Sequence, residues 1–398
     1  MLPRFAAVPS YSSGWRSASF RKGGSTPFVF SRNSMVTVFA LLCNHGPALC
    51  SCPTESHPMS SSHDTNDERT ALDLLVRGFQ VSRMLRLVAD LGVADRITPE
   101  ARVTIGALAV DCGVQTQPLI RVLRALAAFG VFTVTPDSEI GHTPRSLLLR
   151  TDTPNSMHYS ARFWAAPGSW SAWGMLDAAM TNRVPHEAAW NMGRFEYLST
   201  HPDEARGFDS MMANFPDNRH AAVAAAYDFS GAALIADIGG GNGAMLRNIL
   251  ACFPESRGLL VDREDVVLSI KPVDLLDGRI EAFGGSFFDR IPSSADIYLL
   301  VGVLHDWSNN DCVRILRTCR EAIASNGMLL VCEQVLEPDP AHGRPTSYLV
   351  DRQMMAMFGS ARERTEHEFA SLLSESGFTL RSAIPTQSPV CIIEAAPS

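Results

Sequence analysis

The sequence has no long hydrophobic run, although 46% of its 398 residues are hydrophobic. A membrane-spanning helix needs about 18 or more consecutive apolar residues, and no stretch approaches that length, so we expect no membrane segment. The formal net charge is only -8, which argues against nucleic acid as the main partner. The length and the hydrophobic content are enough for a sizeable core and about two domains.

Paired cysteine motifs are also missing. The nine cysteines are scattered without a CxxC pair, so the sequence carries the usual signature of neither a zinc cluster nor a disulfide framework. The reducing cytosol is the simplest compartment for such a chain. We therefore predict a cytoplasmic protein that uses no metal ion.

Acidic residues are absent from the start of the chain. Residues 1–32 contain five Lys or Arg, no Asp or Glu, and many serines. This composition resembles an organelle transit peptide, but an upstream start-site artefact is an equally good interpretation, because Met59 opens a polar segment of the kind that often precedes a domain. We expect residues 1–58 to be disordered in either case.

The most informative stretch is a glycine turn, DIGGGNG, at residues 237–243. The apolar run before it predicts a buried strand, and residues 245–250 after it have helical periodicity. Strand, glycine turn and helix begin a nucleotide-binding βαβ unit, in which the glycines let the backbone approach a ligand closely. Asp262 ends the next apolar run, where an acidic side chain can accept hydrogen bonds from ribose hydroxyls.

The position of Asp237 indicates whether the ligand of the glycine turn is anionic or cationic. Gly239, Gly241 and Ala244 fit the looser dinucleotide pattern GxGxxA, but a pyrophosphate approaching the helix would meet the Asp237 carboxylate. A cationic ligand suits this position better, and S-adenosylmethionine carries a sulfonium and an ammonium but no phosphate. A structural glycine turn and a nicotinamide oxidoreductase site are the alternatives.

Residues 59–155 form the first predicted domain. Apolar residues recur every third or fourth position from Glu68, which predicts one helix that ends at Gly92. Two shorter helices and a hairpin across residues 136–138 follow, an order typical of a winged-helix domain.

A winged helix can bind DNA or mediate dimerisation. The helix that would enter a DNA groove, residues 117–129, carries Arg121 and Arg124 but is otherwise largely apolar. A helix that reads a groove needs a polar face, so we predict a dimerisation domain rather than a DNA reader.

Residues 156–230 are predicted to be a helical connector rich in Trp and Met. Such side chains on helices more often belong to the core than to a pocket. Their concentration between two domains nevertheless makes this segment the predicted wall of an aromatic acceptor cavity.

Residues 231–398 alternate between strands and helices, which predicts an α/β domain with a mostly parallel sheet. The last two strands are too close in sequence for a helical crossover, so they should pair antiparallel. Ligands in such sheets bind beyond the carboxyl ends of the strands. Five polar residues fall at those ends: Asp237, Asp262, Ser286, His305 and Glu333.

His305 follows a buried strand on this ligand edge and is a candidate general base, although a loop-capping histidine is equally plausible. Glu333 ends the next strand, and its apolar neighbours argue against full exposure. Glu363 precedes a helix with a Thr365–Glu368 capping box, so a simple helix-entry charge is its alternative.

The ordered motifs resemble the small-molecule O-methyltransferases, a family of plant caffeate and flavonoid enzymes and of bacterial antibiotic-tailoring enzymes. The resemblance covers about residue 68 to the C-terminus. It rests on DIGGGNG, Asp262, GGSFF at 284–288, LHDW at 304–307, Glu333 and RERT at 362–365.

This resemblance implies a Rossmann-like class I methyltransferase domain with a seven-stranded, mostly parallel sheet, preceded by the winged-helix-like dimerisation domain. It implies a homodimer that uses S-adenosylmethionine, releases S-adenosylhomocysteine and methylates a hydroxyl of a phenolic, multi-ring secondary metabolite. N-methylation in the same family and a catalytically silent ligand-sensing regulator are the alternatives.

The resemblance also implies residue roles. The catalytic set has His305 as the general base, bracketed by Glu333 and Glu363. The predicted cofactor site comprises Asp237, Gly239, Gly241, Asp262, Ser286 and Phe287. The predicted acceptor pocket comprises Trp164, Met211, Phe215, Asp306, Met354, Met355 and Phe358.

Overall fold

The computed structural model describes residues 65–293 and 295–398. The extension predicted for residues 1–58 lies outside the described residues. The chain separates into two units, of which the first contributes only helix α1 (Thr65–Val76) to the description and the second is the body Arg77–Ser398.

The body begins with helices and a small antiparallel sheet of order β1-β3-β2. Its elements are α2 (Gly78–Asp90), a 3₁₀ turn (Ala94–Arg96), β1 (Arg102–Thr104), α3 (Ile105–Asp111), α4 (Thr116–Ala128), β2 (Phe132–Val134), β3 (Glu139–His142) and α5 (Pro144–Leu147). Two helices and a hairpin therefore follow in the predicted order.

The prediction of one helix from Glu68 to Gly92 is wrong. The helical segment is divided at Arg77, whose backbone ψ of 3° departs from helical geometry, and α2 begins at Gly78. Glycine in a helix interior costs about 1 kcal/mol relative to alanine, so this position is a natural point for a break.

The connector consists of short helices. They are α6 (His158–Trp164), α7 (Pro167–Trp173), a 3₁₀ helix (Leu176–Thr181), α8 (Pro185–Trp190), α9 (Arg194–Thr200), α10 (Pro202–Ala213) and α11 (Arg219–Ala226). Three of them begin with proline, which fixes φ at a position where no backbone N–H is needed and so defines where each helix starts.

The C-terminal part is an α/β domain. Its strands are β4 (Leu234–Ile238), β5 (Arg257–Asp262), β6 (Ile280–Gly284), β7 (Ile297–Val301), β8 (Met328–Gln334), β9 (Phe378–Pro385) and β10 (Val390–Pro397). The helices are α12 (Ala244–Cys252), α13 (Glu264–Ser269), α14 (Asn309–Ala322), α15 (Pro345–Phe358) and α16 (Glu366–Glu375), with 3₁₀ helices at Pro272–Gly278 and Leu304–Asp306.

These strands form one seven-stranded sheet of order β6-β5-β4-β7-β8-β10-β9. The first five pair in parallel, whereas β10 is antiparallel to both β8 and β9. The predicted mostly parallel sheet and the antiparallel final pair are confirmed.

Side chains of successive strand residues enter two different apolar clusters. Tyr298 and Leu300 belong to a cluster with α14 and α16, whereas Leu299 belongs to a cluster with α12. Both faces of the sheet are thus covered by helices, which leaves the carboxyl ends of the strands as the edge where polar side chains can meet a ligand.

No helix in the described part of the chain is both long and apolar enough to cross a membrane.

Candidate active site

The glycine turn after β4 forms an open cradle. Gly239, Gly241 and Gly243 have φ values of +75°, +56° and +79°, which side-chain-bearing residues rarely adopt. A Cβ atom added to Gly241 would meet no atom within 4 Å, whereas one on Gly239 would lie 2.9 Å from Val303 Cγ2. The backbone at Gly241 therefore borders free space.

Asp262 lies at the end of β5 beside this cradle. Its Oδ2 accepts a hydrogen bond from Gly241 N at 2.8 Å, and its Oδ1 accepts one from Arg263 N at 2.7 Å. Burial raises the pKa of the Asp262 carboxyl, and these two hydrogen bonds oppose the rise. The carboxylate is held rigidly and keeps lone pairs free for ribose hydroxyls.

Asp237 is the unusual group of the cradle. The residue is 1% exposed, and neither carboxylate oxygen has a hydrogen-bond partner among the described residues. Burial, followed by the nearby charge of Asp262, raises its pKa to about 7. A buried anion without a partner is costly, and a cationic ligand would relieve that cost. This orphaned carboxylate fits S-adenosylmethionine and does not fit a pyrophosphate.

Phe287 and Ser286 follow β6 and differ in exposure. Phe287 is half-buried beside the cradle, where a Cβ on Gly239 would lie 3.7 Å from its ring. Its ring also packs edge-on against Trp307, with centroids 5.9 Å apart. Ser286 is exposed, and its Oγ accepts a hydrogen bond from Phe288 N. Phe287 thus offers an apolar surface at the cradle, whereas Ser286 caps its own loop.

His305 lies in the 3₁₀ turn after β7, with carboxylates around its ring. Its Nδ1 is 2.7 Å from Glu363 Oε1 and 3.6 Å from Glu333 Oε2. On the other side, its Nε2 is 3.6 Å from Asp306 Oδ1. A Cβ built on Gly302 would lie 3.8 Å from Nε2, so this glycine keeps a side chain away from the ring nitrogen, which has no hydrogen-bond partner among the described residues.

Both glutamates are buried, with Glu333 1% exposed and Glu363 2% exposed. The burial of Glu363 and its contact with His305 count against the alternative of a simple helix-entry charge. The capping box forms as predicted, but it uses Thr365 and Glu368 and leaves Glu363 free to contact His305.

The carboxylates control the protonation of His305. Burial alone would lower the pKa of the imidazole, but Glu333, Glu363 and Asp306 outweigh it and raise the pKa to about 10. Burial raises the pKa of Glu333 to about 7 and that of Asp306 to about 6, and the histidine opposes both shifts. The site therefore stabilises an imidazolium.

The same three side chains have the composition of a metal site. One ligand atom each from His305, Glu333 and Glu363 can be chosen so that all lie within 4.8 Å of one another. However, a 2.7 Å contact between Nδ1 and a carboxylate oxygen is a charge-assisted hydrogen bond, in which Nδ1 carries a proton and has no lone pair for a metal. The geometry favours a proton at this position.

The predicted pocket residues occupy different environments. Met354 and Met211 are buried, and Met355, Phe358 and Phe215 are half-buried. Two of the half-buried rings contact residues outside the predicted set. The ring centroids of Phe358 and Phe195 are 5.2 Å apart. The guanidinium carbon of Arg219 lies 3.5 Å from the ring centroid of Phe215.

Trp164 is the most exposed member of the predicted pocket, at 40%. Its hydrogen bond and ring contact are with Ser160 and Phe163 of its own helix. Two surface grooves of about 320 and 310 Å³ occur in the described chain, and neither is lined by a predicted site residue. The place of Trp164 in the pocket stays a prediction.

Several site residues were not predicted. Phe195 extends the aromatic surface of Phe358, and Asp351 Oδ1 accepts a hydrogen bond from Glu363 N at 3.0 Å. Arg364 is fully buried behind the His305 turn. Arg364 stands in the RERT motif, but its sequence neighbours carry no signal that an arginine would be buried there, and Asp351 lies without distinction in a helix.

Comparisons with known proteins agree with this geometry. A family model described as the O-methyltransferase domain matches residues 173–379. A phenazine O-methyltransferase from Lysobacter antibioticus is 36% identical over 330 residues, which are 81% of this chain and 94% of that protein. A mitomycin biosynthesis 6-O-methyltransferase from Streptomyces lavendulae is 36% identical over 335 residues, 82% of this chain and 94% of its own length.

A solved structure adds a ligand-bound relative. It is an O-methyltransferase from neocarzinostatin biosynthesis in complex with S-adenosylmethionine and 2-hydroxy-5-methyl naphthoic acid, with a TM-score of 0.68 and 29% identity. The match covers 80% of this chain and 96% of that one. Because the family model spans more than half of the chain and two relatives above 30% identity are covered almost completely, this chain belongs to the O-methyltransferase family.

Proposed function

We propose that the protein transfers a methyl group from S-adenosylmethionine to a hydroxyl of an aromatic, multi-ring acceptor, with His305 as the general base. The observation that carries the proposal is the imidazole of His305, whose Nδ1 contacts Glu363 while its Nε2 has no hydrogen-bond partner among the described residues. A positioned base with one free nitrogen is what deprotonation of an acceptor hydroxyl requires.

The cradle residues would hold the cofactor. Asp262 would accept hydrogen bonds from the ribose, Gly239 and Gly241 would allow close backbone approach, and the orphaned Asp237 carboxylate would compensate positive charge. Ser286 and Phe287 would border the adenine. When bound, S-adenosylmethionine supplies an electrophilic methyl group on its sulfonium.

Proton transfer from the acceptor to His305 is energetically well matched. A phenol has a pKa near about 10, and the carboxylates raise the pKa of His305 to about 10. Moving the proton between the phenol and the imidazole then costs little free energy in either direction. Glu333 and Glu363 stabilise the imidazolium that forms, much as an aspartate does in a hydrolytic triad.

The pocket chemistry supports an aromatic acceptor. The Phe195 and Phe358 rings, on α9 and α15, have centroids 5.2 Å apart, and α15 also carries the buried side chain of Met354. Flat ligands gain from stacking and thioether contacts. The relatives are named for phenazine and mitomycin chemistry, and one binds a naphthoic acid, so a multi-ring phenolic secondary metabolite is the acceptor class that we propose.

Three alternatives lose support. Membership of an O-methyltransferase family counts against a nicotinamide oxidoreductase and against a catalytically silent regulator. N-methylation needs no base strong enough for a phenol, because a neutral amine is already nucleophilic. The buried carboxylates that raise the pKa of His305 therefore favour an oxygen acceptor over an amine.

We further propose that the protein works as a cytoplasmic homodimer, with residues 59–155 as the winged-helix-like dimerisation domain, residues 156–230 as the connector and residues 231–398 as the catalytic domain. Exposed apolar side chains on α2, Phe79 at 56% and Leu87 at 43%, supply a surface that a second copy could cover.

The proposal is tested by incubating the protein with S-adenosylmethionine carrying a labelled methyl group and a panel of phenolic and amino-aromatic acceptors. We expect label on the oxygen of at least one multi-ring phenol, located by mass spectrometry and NMR, together with S-adenosylhomocysteine. Label on nitrogen only, or none with any acceptor despite cofactor binding, would contradict the proposed function.

A further inference from the structure

The side chain of Arg364 is the largest fully buried one in the described chain, and it faces the backbone of the His305 turn. Its Nη1 donates to Leu304 O at 2.8 Å, and its Nη2 donates to Trp307 O at 2.9 Å. These two carbonyls flank His305 in sequence. The guanidinium therefore holds both ends of the short turn that carries the proposed base.

All five N–H groups of this guanidinium are used. Beyond the two turn carbonyls, Nη1 donates to Arg362 O at 3.2 Å, and both Nε and Nη2 donate to Asn309 Oδ1 at 3.1 and 3.0 Å. Every acceptor is a neutral carbonyl or amide oxygen. An arginine buried for charge pairing would face a carboxylate, whereas this one is arranged to fix backbone positions.

The backbone of Leu304 is hydrogen-bonded through both its N–H group and its carbonyl group. Glu333 Oε1 accepts from Leu304 N at 2.8 Å, while Arg364 holds Leu304 O. Glu363, the residue before Arg364, contacts His305 Nδ1. The Glu363 side chain thus fixes the imidazole of His305, and the Arg364 side chain fixes the backbone that carries it.

We propose that Arg364 is a positioning residue for the methyl transfer, and that Asn309 supports it by anchoring the guanidinium. This inference rests on the proposed function, because it assumes that His305 acts as the base. The guanidinium touches no reacting atom. Its effect is to keep His305 Nε2 where an acceptor hydroxyl can reach it, and a displacement of about 1 Å in such a group can cost about a hundredfold in turnover.

The experiment compares Asn309→Ala, Arg364→Lys and Arg364→Met with the wild type and with His305→Ala. Asn309 is exposed, so its replacement removes two of the five hydrogen bonds without emptying a buried volume. Arg279→Met is the matched control, because Arg279 Nη2 also donates to three carbonyls, those of Leu250, Phe253 and Ser256.

We expect kcat to fall about tenfold in Asn309→Ala and further in Arg364→Met, with partial recovery in Arg364→Lys. The acceptor KM and the cofactor Kd should stay within about twofold, and Arg279→Met should lose stability but not kcat. A merely structural role would lower melting temperature and cofactor affinity together with kcat.

Two further results would overturn the inference. One is near-normal kcat in Asn309→Ala and in whichever Arg364 variant folds, while His305→Ala is inactive; the base role then stands without Arg364. The other is full activity of His305→Ala, which would remove the base itself and with it the proposed function.

Discussion

Nδ1 of His305 lies 2.7 Å from Oε1 of Glu363, a residue 58 positions further along the chain. The contact joins a turn at the end of β7 to the segment that enters α16. It leaves Nε2 as the ring nitrogen available to an acceptor. The proposed base catalysis therefore depends on how well two distant segments are held together.

Replacing His305 tests the base. We expect His305→Gln to lower turnover by about a hundredfold or more, because the acceptor hydroxyl loses its proton acceptor. Cofactor affinity measured by calorimetry should be unchanged, since the cradle lies after β4 and β5. Near-normal turnover with an unaltered pH profile would show that another group takes the proton.

The pH dependence tests the carboxylates around His305. Because the pKa of His305 is raised to about 10, little of the imidazole is neutral at pH 7, and kcat/KM should rise by up to about tenfold per pH unit from pH 7 towards pH 9. Glu363→Gln removes one negative charge, lowers the pKa of His305 and should move this rise to lower pH.

The plateau reached by Glu363→Gln should be lower than that of the wild type, because the amide holds the ring less firmly. Glu368→Gln is a suitable control, since glutamine also suits the third position of the Thr365 capping box. A pH profile that is the same in both variants would contradict the role of Glu363.

Asp237 should make the protein without cofactor less stable as pH rises. An aspartate titrates near about 3.9 when unfolded, whereas burial raises the Asp237 pKa to about 7 in the folded state. The folded state then binds the extra proton between these values, so stability falls as pH rises from about 4 to about 7.

Asp237→Asn removes this penalty. Its melting temperature without cofactor should exceed that of the wild type by at least about 2 °C at pH 8 and by much less at pH 5. The stabilisation that S-adenosylmethionine gives should shrink, because the partner of its positive charge is lost. Scanning calorimetry at both pH values provides the measurement, and an equal difference at the two pH values would refute the account.

Gly241 and Gly92 form a natural comparison. Both have left-handed φ values, +56° and +61°, and a Cβ on either would meet nothing within 4 Å. Alanine should therefore cost about 1 kcal/mol of stability at each position. Only Gly241→Ala should also raise the cofactor Kd, by about tenfold or more, because its methyl group enters the cradle. Equal Kd values in the two variants would place the cofactor elsewhere.

Much of the α/β domain could be predicted because its signals are local. Continuous apolar runs such as the one before Asp237 indicate buried parallel strands, and their ends locate the ligand edge without knowledge of packing. The short link between β9 and β10 likewise dictated antiparallel pairing. The division of the first predicted helix at Arg77 was missed because apolar periodicity continues across it.

The arrangement of side chains in the candidate site could be predicted less well from the sequence. The Thr365–Glu368 capping box is predictable from the sequence, but Glu363 has two interpretations there, and only the folded chain shows it beside His305. The contact of Asp351 with Glu363 N joins residues 12 positions apart, and the buried Arg364 contacts Leu304, 60 positions away, so both depend on tertiary packing. Residue type and spacing do not encode such contacts.

Val335 and Arg364 form a parallel β-bridge, and Leu336 N also donates to Arg364 O at 2.9 Å. The excursion between them contains α15, with Met354 and Phe358, yet it starts and finishes at one fixed point. Because the bridge holds both ends of this excursion, residues of α15 other than Asp351, which holds Glu363 N, can change without moving the anchors. Acceptor preference can thus diversify by substitutions within α15 while both glutamates beside the imidazole remain in place.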